Sequence, residues 1–167
     1  FFIKPANSGS SIGIAKVNNE RDFVNSFKEA YKIDKIVIVE SFIYGNEYTL
    51  PIIHNKTFPI IEIRSKTEFY DYEAKYLTND TEFICPADIS SSLVENINKE
   101  CMEAFSSIGC DGWGRVDFII DKDEKIFIIE INTVPGMTNH SLVPISAKYA
   151  GVEFDDLVIM ILETSNV

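Results

Sequence analysis

The chain has 167 residues, 46% of them hydrophobic and twelve of them Phe, enough apolar material for one domain with a real core or for part of a larger one. The formal net charge of -11 argues against nucleic acid as the main partner, and no apolar run approaches the roughly 20 residues that a membrane span needs. Cys85, Cys101 and Cys110 form no CxxC pair and leave an odd count, so they read as reduced core residues of a cytosolic protein. The chain opens on Phe1 inside a strand-like run, with no start Met and no signal-peptide pattern, and is expected to be a fragment of a longer polypeptide.

Phe1 to Pro5 reads as a short strand that ends at a Pro. Ala6 to Gly13 is a loop rich in Gly and Ser, and the alternation over 12–17 predicts a second strand. Strand, Gly/Ser loop and strand make a flap whose backbone N–H groups and hydroxyls can approach phosphate oxygens closely. It is not a Walker loop, because the GK[ST] ending is absent and no helix follows directly. Lys4, just ahead of the loop, gives an anion its counter-charge; its plainer role is a solvated surface Lys. Asn18-Asn19 can cap a helix running to about Lys32, with Phe23, Phe27, Ala30 and Tyr31 at helical spacing as its core face. Lys35 to Glu40 is a strand apolar on both faces. After Gly45, residues 46–54 and 57–63 make a hairpin with His54-Asn55-Lys56 at its turn. Glu47 follows the turn Gly, where a carboxylate can accept bonds from ribose hydroxyls or simply sit solvated at a strand end.

From Arg64 to about Thr81 periodicity disappears, yet Phe69, Tyr70, Tyr72 and Tyr76 argue against disorder. A long irregular stretch of that kind in a compact domain reads as an active-site lid, here carrying Lys75 and Tyr76. Ser92-Leu93-Val94-Glu95 is a capping box. The helix it opens is expected to bury Val94, Ile97, Cys101, Ala104, Phe105 and Ile108 and to stop near Gly109. Trp113 reads as core.

The richest chemistry lies in 114–133. Two runs of β-branched and aromatic residues flank Lys122-Asp123-Glu124-Lys125, which predicts an antiparallel hairpin. Arg115, Asp117 and Ile119 then share one face of the first strand, and Ile128, Glu130 and Asn132 one face of the second. With the tetrad as loop, Asp117 lies opposite Glu130 and Arg115 opposite Asn132. Like charges facing across a ladder are unfavourable, so a cation must offset them. With no His or Cys interleaved, the oxygen-only set Asp117, Glu130 and Asn132 favours a hard ion such as Mg2+. The alternative is an exposed polar hairpin face. Beyond Asn132, a loop leads into a helix reaching about Ala150, with Ser141 as N-cap and Pro144 in its first turn. A helix N-terminus beside a metal site is ready to hold a carboxylate. The last helix, Phe154 to about Thr164, buries Phe154, Leu157, Val158, Ile161 and Leu162.

Four strings occur in order along the chain: Lys4-Pro5 with Gly9-Ser10-Ser11-Ile12-Gly13; Tyr70-Asp71-Tyr72-Glu73-Ala74-Lys75-Tyr76; Gly112-Trp113-Gly114-Arg115-Val116-Asp117; and Glu130-Ile131-Asn132-Thr133-Val134-Pro135-Gly136-Met137-Thr138. Together they resemble D-alanine–D-alanine ligases, and the last two are highly specific. The resemblance implies an α+β ATP-grasp fold, with antiparallel sheets and packed helices enclosing a nucleotide cleft. It assigns residues 1–167 to the rest of the central subdomain and the C-terminal domain, without the N-terminal substrate domain. Missing with that part are a phosphate Lys and a Glu that helps to bind the first D-alanine.

A carboxylate and an amine do not condense unaided in water, and the family uses ATP to make a D-alanyl phosphate that a second D-alanine attacks. By resemblance, Lys4 and Lys75 hold phosphates, Ser10 and Ser11 close the flap over them, Glu40, Ser41 and Ile43 flank the adenine, and Glu47 binds the ribose. Asp117, Glu130 and Asn132 hold Mg2+ or Mn2+. Arg115 and the Gly136 backbone stabilise the oxyanion, Ser141 with Leu142 receives the second substrate, and the lid with Lys75 and Tyr76 excludes water. The Glu73–Tyr76 string resembles the dipeptide-forming type rather than D-lactate ligases. The expected whole is a cytoplasmic homodimer acting in peptidoglycan precursor synthesis, with the fragment alone inactive. The alternatives are another ATP-grasp carboxylate–amine ligase, and a nucleotide-binding module without turnover.

Overall fold

The computed structural model describes residues 1–8, 12–65 and 81–165. Its contacts group into two units, one built on Phe1–Ile43 and the other on Tyr44–Arg64 with the residues from Glu82 onward. Both are antiparallel sheets with packed helices, the α+β class expected from the sequence.

The first unit contains β1 (Phe2–Pro5), β2 (Ala15–Lys16), α1 (Glu20–Ile33) and β3 (Val37–Glu40), with strand order β2-β1-β3. The Asn19 side chain caps α1 by accepting the Asp22 N–H at 3.0 Å. Ile3, Val17 and Ala30 form the core, with Phe23 and Val37 packed against them. Phe27 and Tyr31 are not core: they are 37% and 45% exposed. Each four-residue step turns about 40° past a full helical circle, so this series drifts off the stripe that Phe23 and Ala30 share. The rings stack on one another instead, with Phe23–Phe27 and Phe27–Tyr31 centroids both 6.3 Å apart. The strand expected over 12–17 shrinks to two residues, because Gly13 turns the chain at φ +76° and leaves Ile12 and Ile14 exposed. Ile38 and Val39 are also exposed, since β3 is an edge strand and not the doubly covered strand its apolar run suggested.

The second unit is a larger sheet with a helix layer. Its strands are β4 (Gly45–Ile53), β5 (Lys56–Thr57), β6 (Ile61–Ser65), β7 (Thr81–Ile84), β8 (Trp113–Asp121) and β9 (Ile126–Asn132). The order is β7-β6-β4-β8-β9, with β5 added on β4. His54 and Asn55 make the β4–β5 turn at φ 51° and 57°, as a two-residue hairpin requires. The strand expected at 57–63 is broken around Pro59, which has no N–H for a ladder. On one face, Tyr48, Leu50, Ile52, Val116, Phe118 and Ile120 pack against α2 (Ser91–Ser107) through Leu93, Ile97, Cys101 and Phe105. Ser90 caps α2, two residues before the expected box, with its hydroxyl 3.3 Å from the Leu93 N–H. The helix ends at Ser107, so Ile108 leaves the stripe and is 63% exposed.

The opposite face carries Glu47, Thr49 and Pro51 of β4 beside Ile119, Asp117 and Arg115 of β8. At its far end Ile53 packs with Val143, Ala147 and Leu157, supplied by α3 (Leu142–Tyr149) and α4 (Phe154–Thr164). Trp113 joins this cluster, as a core residue should, whereas Leu162 turns outward. Burial pushes the Cys101 thiol up to about 12 and the Cys85 thiol up to about 11. Iodoacetamide at pH 8 is expected to leave both unmodified in the folded protein and to label both in denaturant, read by peptide mass spectrometry. Rapid labelling of Cys101 under native conditions would contradict this core.

Candidate active site

The site is assembled by strand register. Asp117 pairs directly with Glu130 and Arg115 with Asn132, as the sequence indicated. The route to that register differs from the expected one. Near the turn, Ile120 pairs with Ile126 and Phe118 with Ile128, and a bulge at Ile129 then restores the offset before Glu130. Ile128 therefore lies with Phe118 and does not share the face of Glu130 and Asn132. The phase change also explains why Ile126 and Ile131, five positions apart, both pack on the core.

Asp117 is 5% exposed and its carboxylate is surrounded by donors. Oδ1 accepts from Thr49 Oγ1 at 2.6 Å and from Arg115 Nε at 2.8 Å. Oδ2 accepts from Arg115 Nη2 at 2.7 Å and from Asn132 Nδ2 at 2.9 Å. The Arg115–Asp117 contact is a two-pronged fork between residues two apart on one strand, the planar match that only Arg makes with a carboxylate. The same Asn132 amide reaches Glu130 Oε1 at 3.3 Å, and Glu130 itself is exposed. Arg115 thus already supplies a cation to Asp117, the buried one of the two facing carboxylates.

Thr49 was not among the residues the sequence pointed to. Its signal was present but weak: within Tyr48-Thr49-Leu50-Pro51-Ile52, the Thr falls on the face opposite the large apolar side chains. What makes it a site residue is the β4–β8 pairing, which joins positions 68 apart in the chain.

The donor set fits a hard divalent ion. Asp117, Glu130 and Asn132 offer oxygen ligands only, and turning the Asn132 amide over presents Oδ1 where Nδ2 now lies. Among the described residues no three His, Cys, Asp or Glu side chains converge, so an ion bound here would be met by two carboxylates and an amide. That is how Mg2+ is usually held, through one or two carboxylates with the remaining positions left to water and phosphate.

Ser141 stands at the N-cap of α3 but its side chain makes no capping bond. The donor it would serve at the third helical position belongs to Pro144, which has none. Its hydroxyl instead accepts from the Thr138 N–H at 3.0 Å and lies 2.9 Å from Thr138 Oγ1. Gly136 permits this, because a Cβ there would fall 2.9 Å from Ser141 Oγ. Leu142, the first residue of α3, is buried.

In the first unit, Lys4 and Glu40 lie on one face of the sheet and their side chains form an ion pair. Lys16 is on that face too, its ammonium 4.2 Å from the centre of the Phe42 ring. Ser41 and Ile43 follow β3, Ser41 exposed and Ile43 half-buried, and Glu47 is half-buried on β4. Ser10, Ser11, Lys75 and Tyr76 lie outside the described residues, as does most of the expected lid.

A family model described as D-ala D-ala ligase C-terminus matches residues 1–163. The chain belongs to that family. It is 43% identical over 166 residues to D-alanine–D-alanine ligase B of Chromobacterium violaceum, covering 99% of this chain and 55% of that protein. The crystal structure of a D-alanine–D-alanine ligase from Bacillus anthracis matches with a TM-score of 0.86 and 36% identity, over 98% of this chain and 53% of that one. The Bacillus anthracis ligase complexed with ATP matches with a TM-score of 0.84 and 31% identity, over 98% and 51%. The chain therefore spans about half the length of such relatives and has their ATP-grasp fold.

The site depends on a buried ion pair whose side chains are 17% and 7% exposed. Replacing Arg115 by Met would leave the Asp117 carboxylate buried without its main partner, and is expected to cost about 3–5 kcal/mol in urea denaturation. Adding Asp117→Asn should recover a large part of that loss. Equal stabilities of the single and double variants would show that the fork does not hold the hairpin.

Proposed function

We propose that the complete protein is an ATP-dependent D-alanine–D-alanine ligase and that this chain is its ATP-grasp catalytic region, 1–167. Membership of the D-ala D-ala ligase C-terminus family over residues 1–163 carries the reading. ATP phosphorylates the carboxylate of the first D-alanine, and the amine of the second attacks the acyl phosphate. Phosphate then leaves as D-alanyl-D-alanine forms, a precursor of peptidoglycan. The assembly is a cytoplasmic homodimer; among the described residues no helix is long and apolar enough to cross a membrane.

The chain's own residues take complementary parts. Lys4 and Lys75 hold phosphates, with Ser10 and Ser11 over them. Glu40, Ser41 and Ile43 line the adenine, and Glu47 receives the ribose. The Bacillus anthracis ligase complexed with ATP supports a nucleotide in this fold. Asp117, Glu130 and Asn132 would hold Mg2+ or Mn2+, which supplies neutralising charge for the phosphates. Arg115, fixed by its fork with Asp117, and the Gly136 N–H stabilise the oxyanion of the attack. Ser141 binds the carboxylate of the second D-alanine beside Leu142, a reading supported by a hydroxyl that its own helix leaves unused. Tyr76 and the lid exclude water that would hydrolyse the acyl phosphate.

The deciding experiment supplies Mg-ATP and D-alanine to the complete protein and identifies the products. Phosphate release with D-alanine alone, giving the dipeptide, is expected. Release only with another acid–amine pair would keep the ATP-grasp chemistry and discard the substrate assignment. Nucleotide binding without D-alanine-dependent release would leave a binding module. Asp117→Asn and Glu130→Gln should each lower turnover by orders of magnitude, and near-normal turnover of both would remove them as metal ligands. Ser141→Ala should raise KM for the second D-alanine and change kcat little. An unchanged KM would confine Ser141 to its contact with Thr138.

A further inference from the structure

Thr49 is fully buried, yet its hydroxyl has no part in the sheet's backbone ladder. It lies directly across from Asp117 and donates to Oδ1 at 2.6 Å, within the short range of hydroxyl–carboxylate bonds. The other acceptor in reach, the Val116 carbonyl, is 3.4 Å away, so the single proton goes to the carboxylate. The two carboxylate oxygens thus have different surroundings. Oδ1 is held by Thr49 and Arg115 Nε. Oδ2 shares Asn132, which also reaches Glu130.

We propose that Thr49 is a positioning residue for cation binding: its hydroxyl commits Oδ1 to the sheet and leaves Oδ2, the oxygen on the Asn132 and Glu130 side, as the ligand atom. This rests on the reading of Asp117 as a metal ligand. Arg115 alone cannot impose the distinction, because its fork grips both oxygens equally. Each oxygen has one further donor, Thr49 on Oδ1 and Asn132 on Oδ2, but only the Asn132 amide can turn over to face a cation with its own oxygen, so the Thr49 hydroxyl breaks that symmetry and fixes the plane of the carboxylate. Hydrogen bonds behind a ligand typically change metal affinity by roughly 10–100-fold when removed.

The test uses the complete protein saturated with an ATP analogue that cannot transfer its terminal phosphate, and Mn2+ as the probe, followed by electron paramagnetic resonance of the free ion. Thr49→Val keeps the shape and removes the hydroxyl; it should weaken Mn2+ binding by roughly 10–100-fold. Thr49→Ser restores the hydroxyl and should bind close to the unaltered protein. If Thr49→Val does not fold, Thr49→Cys, with a feeble S–H donor, is read by the same criterion. Unaltered Mn2+ affinity in a folded hydroxyl-less variant, even with a lower Tm, would overturn the inference and leave the metal reading standing. Failure of the unaltered protein to take up Mn2+ with the analogue would overturn both.

Discussion

A carboxylate taken out of water must be met by donors on every side, and the second unit is arranged to meet that demand at Asp117. The donors come from three strands: Thr49 on β4, Arg115 on β8 itself and Asn132 on β9. Each has to stand at one position along its strand. A slip of β4 or β9 by a single residue would carry its donor to the opposite face and leave the charge stranded. The site is therefore also a register lock for the centre of the sheet, and the geometry of the site and fold specificity rest on the same contacts.

Along the β4–β8 pair, Leu50, Ile52, Val116 and Phe118 keep to one face and Thr49, Asp117 and Arg115 to the other. Tyr48, Leu50, Ile52, Val116 and Phe118 seal one side against α2, so the polar residues interleaved with them have a rigid floor. The same local solution recurs on β6. Glu62 is 3% exposed and is gripped through both oxygens by Arg64, two residues along the strand, with Asn46 adding a third donor. Residues two apart on a strand point the same way, and an Arg there reaches a carboxylate without bending the backbone. Burying acids in this sheet is thus a repeated device, and it uses Arg and amides where Lys would leave bonds unmade.

The site was legible in the sequence where its parts are close in the chain. The β8–β9 hairpin, with Asp117 against Glu130 and Arg115 against Asn132, follows from alternation around a short polar loop. Thr49 was not legible, because only the long-range pairing of β4 with β8 gives its hydroxyl a partner. The Ile129 bulge was missed because alternation assumes an unbroken period of two, and two errors, at the turn and at the bulge, cancelled at Glu130. In α1, spacing by four suggests a core stripe, whereas the rings wind away from Ala30 and stack on each other. Ser141 matched the usual cap residue type, but Pro144 removes the donor that a cap would satisfy. In each case residue type was informative, and what it lacked was the partner that the fold brings.

The bulge at Ile129 has an effect on how the hairpin can vary. It decouples the turn at 122–125 from the ladder at Glu130 and Asn132, because one unpaired residue absorbs a mismatch between them. The tip can then gain or lose a residue, or carry an inserted tag or fluorophore, while the polar face keeps its alignment. The Lys122-Asp123-Glu124-Lys125 loop is accordingly a natural attachment point for a reporter on this sheet.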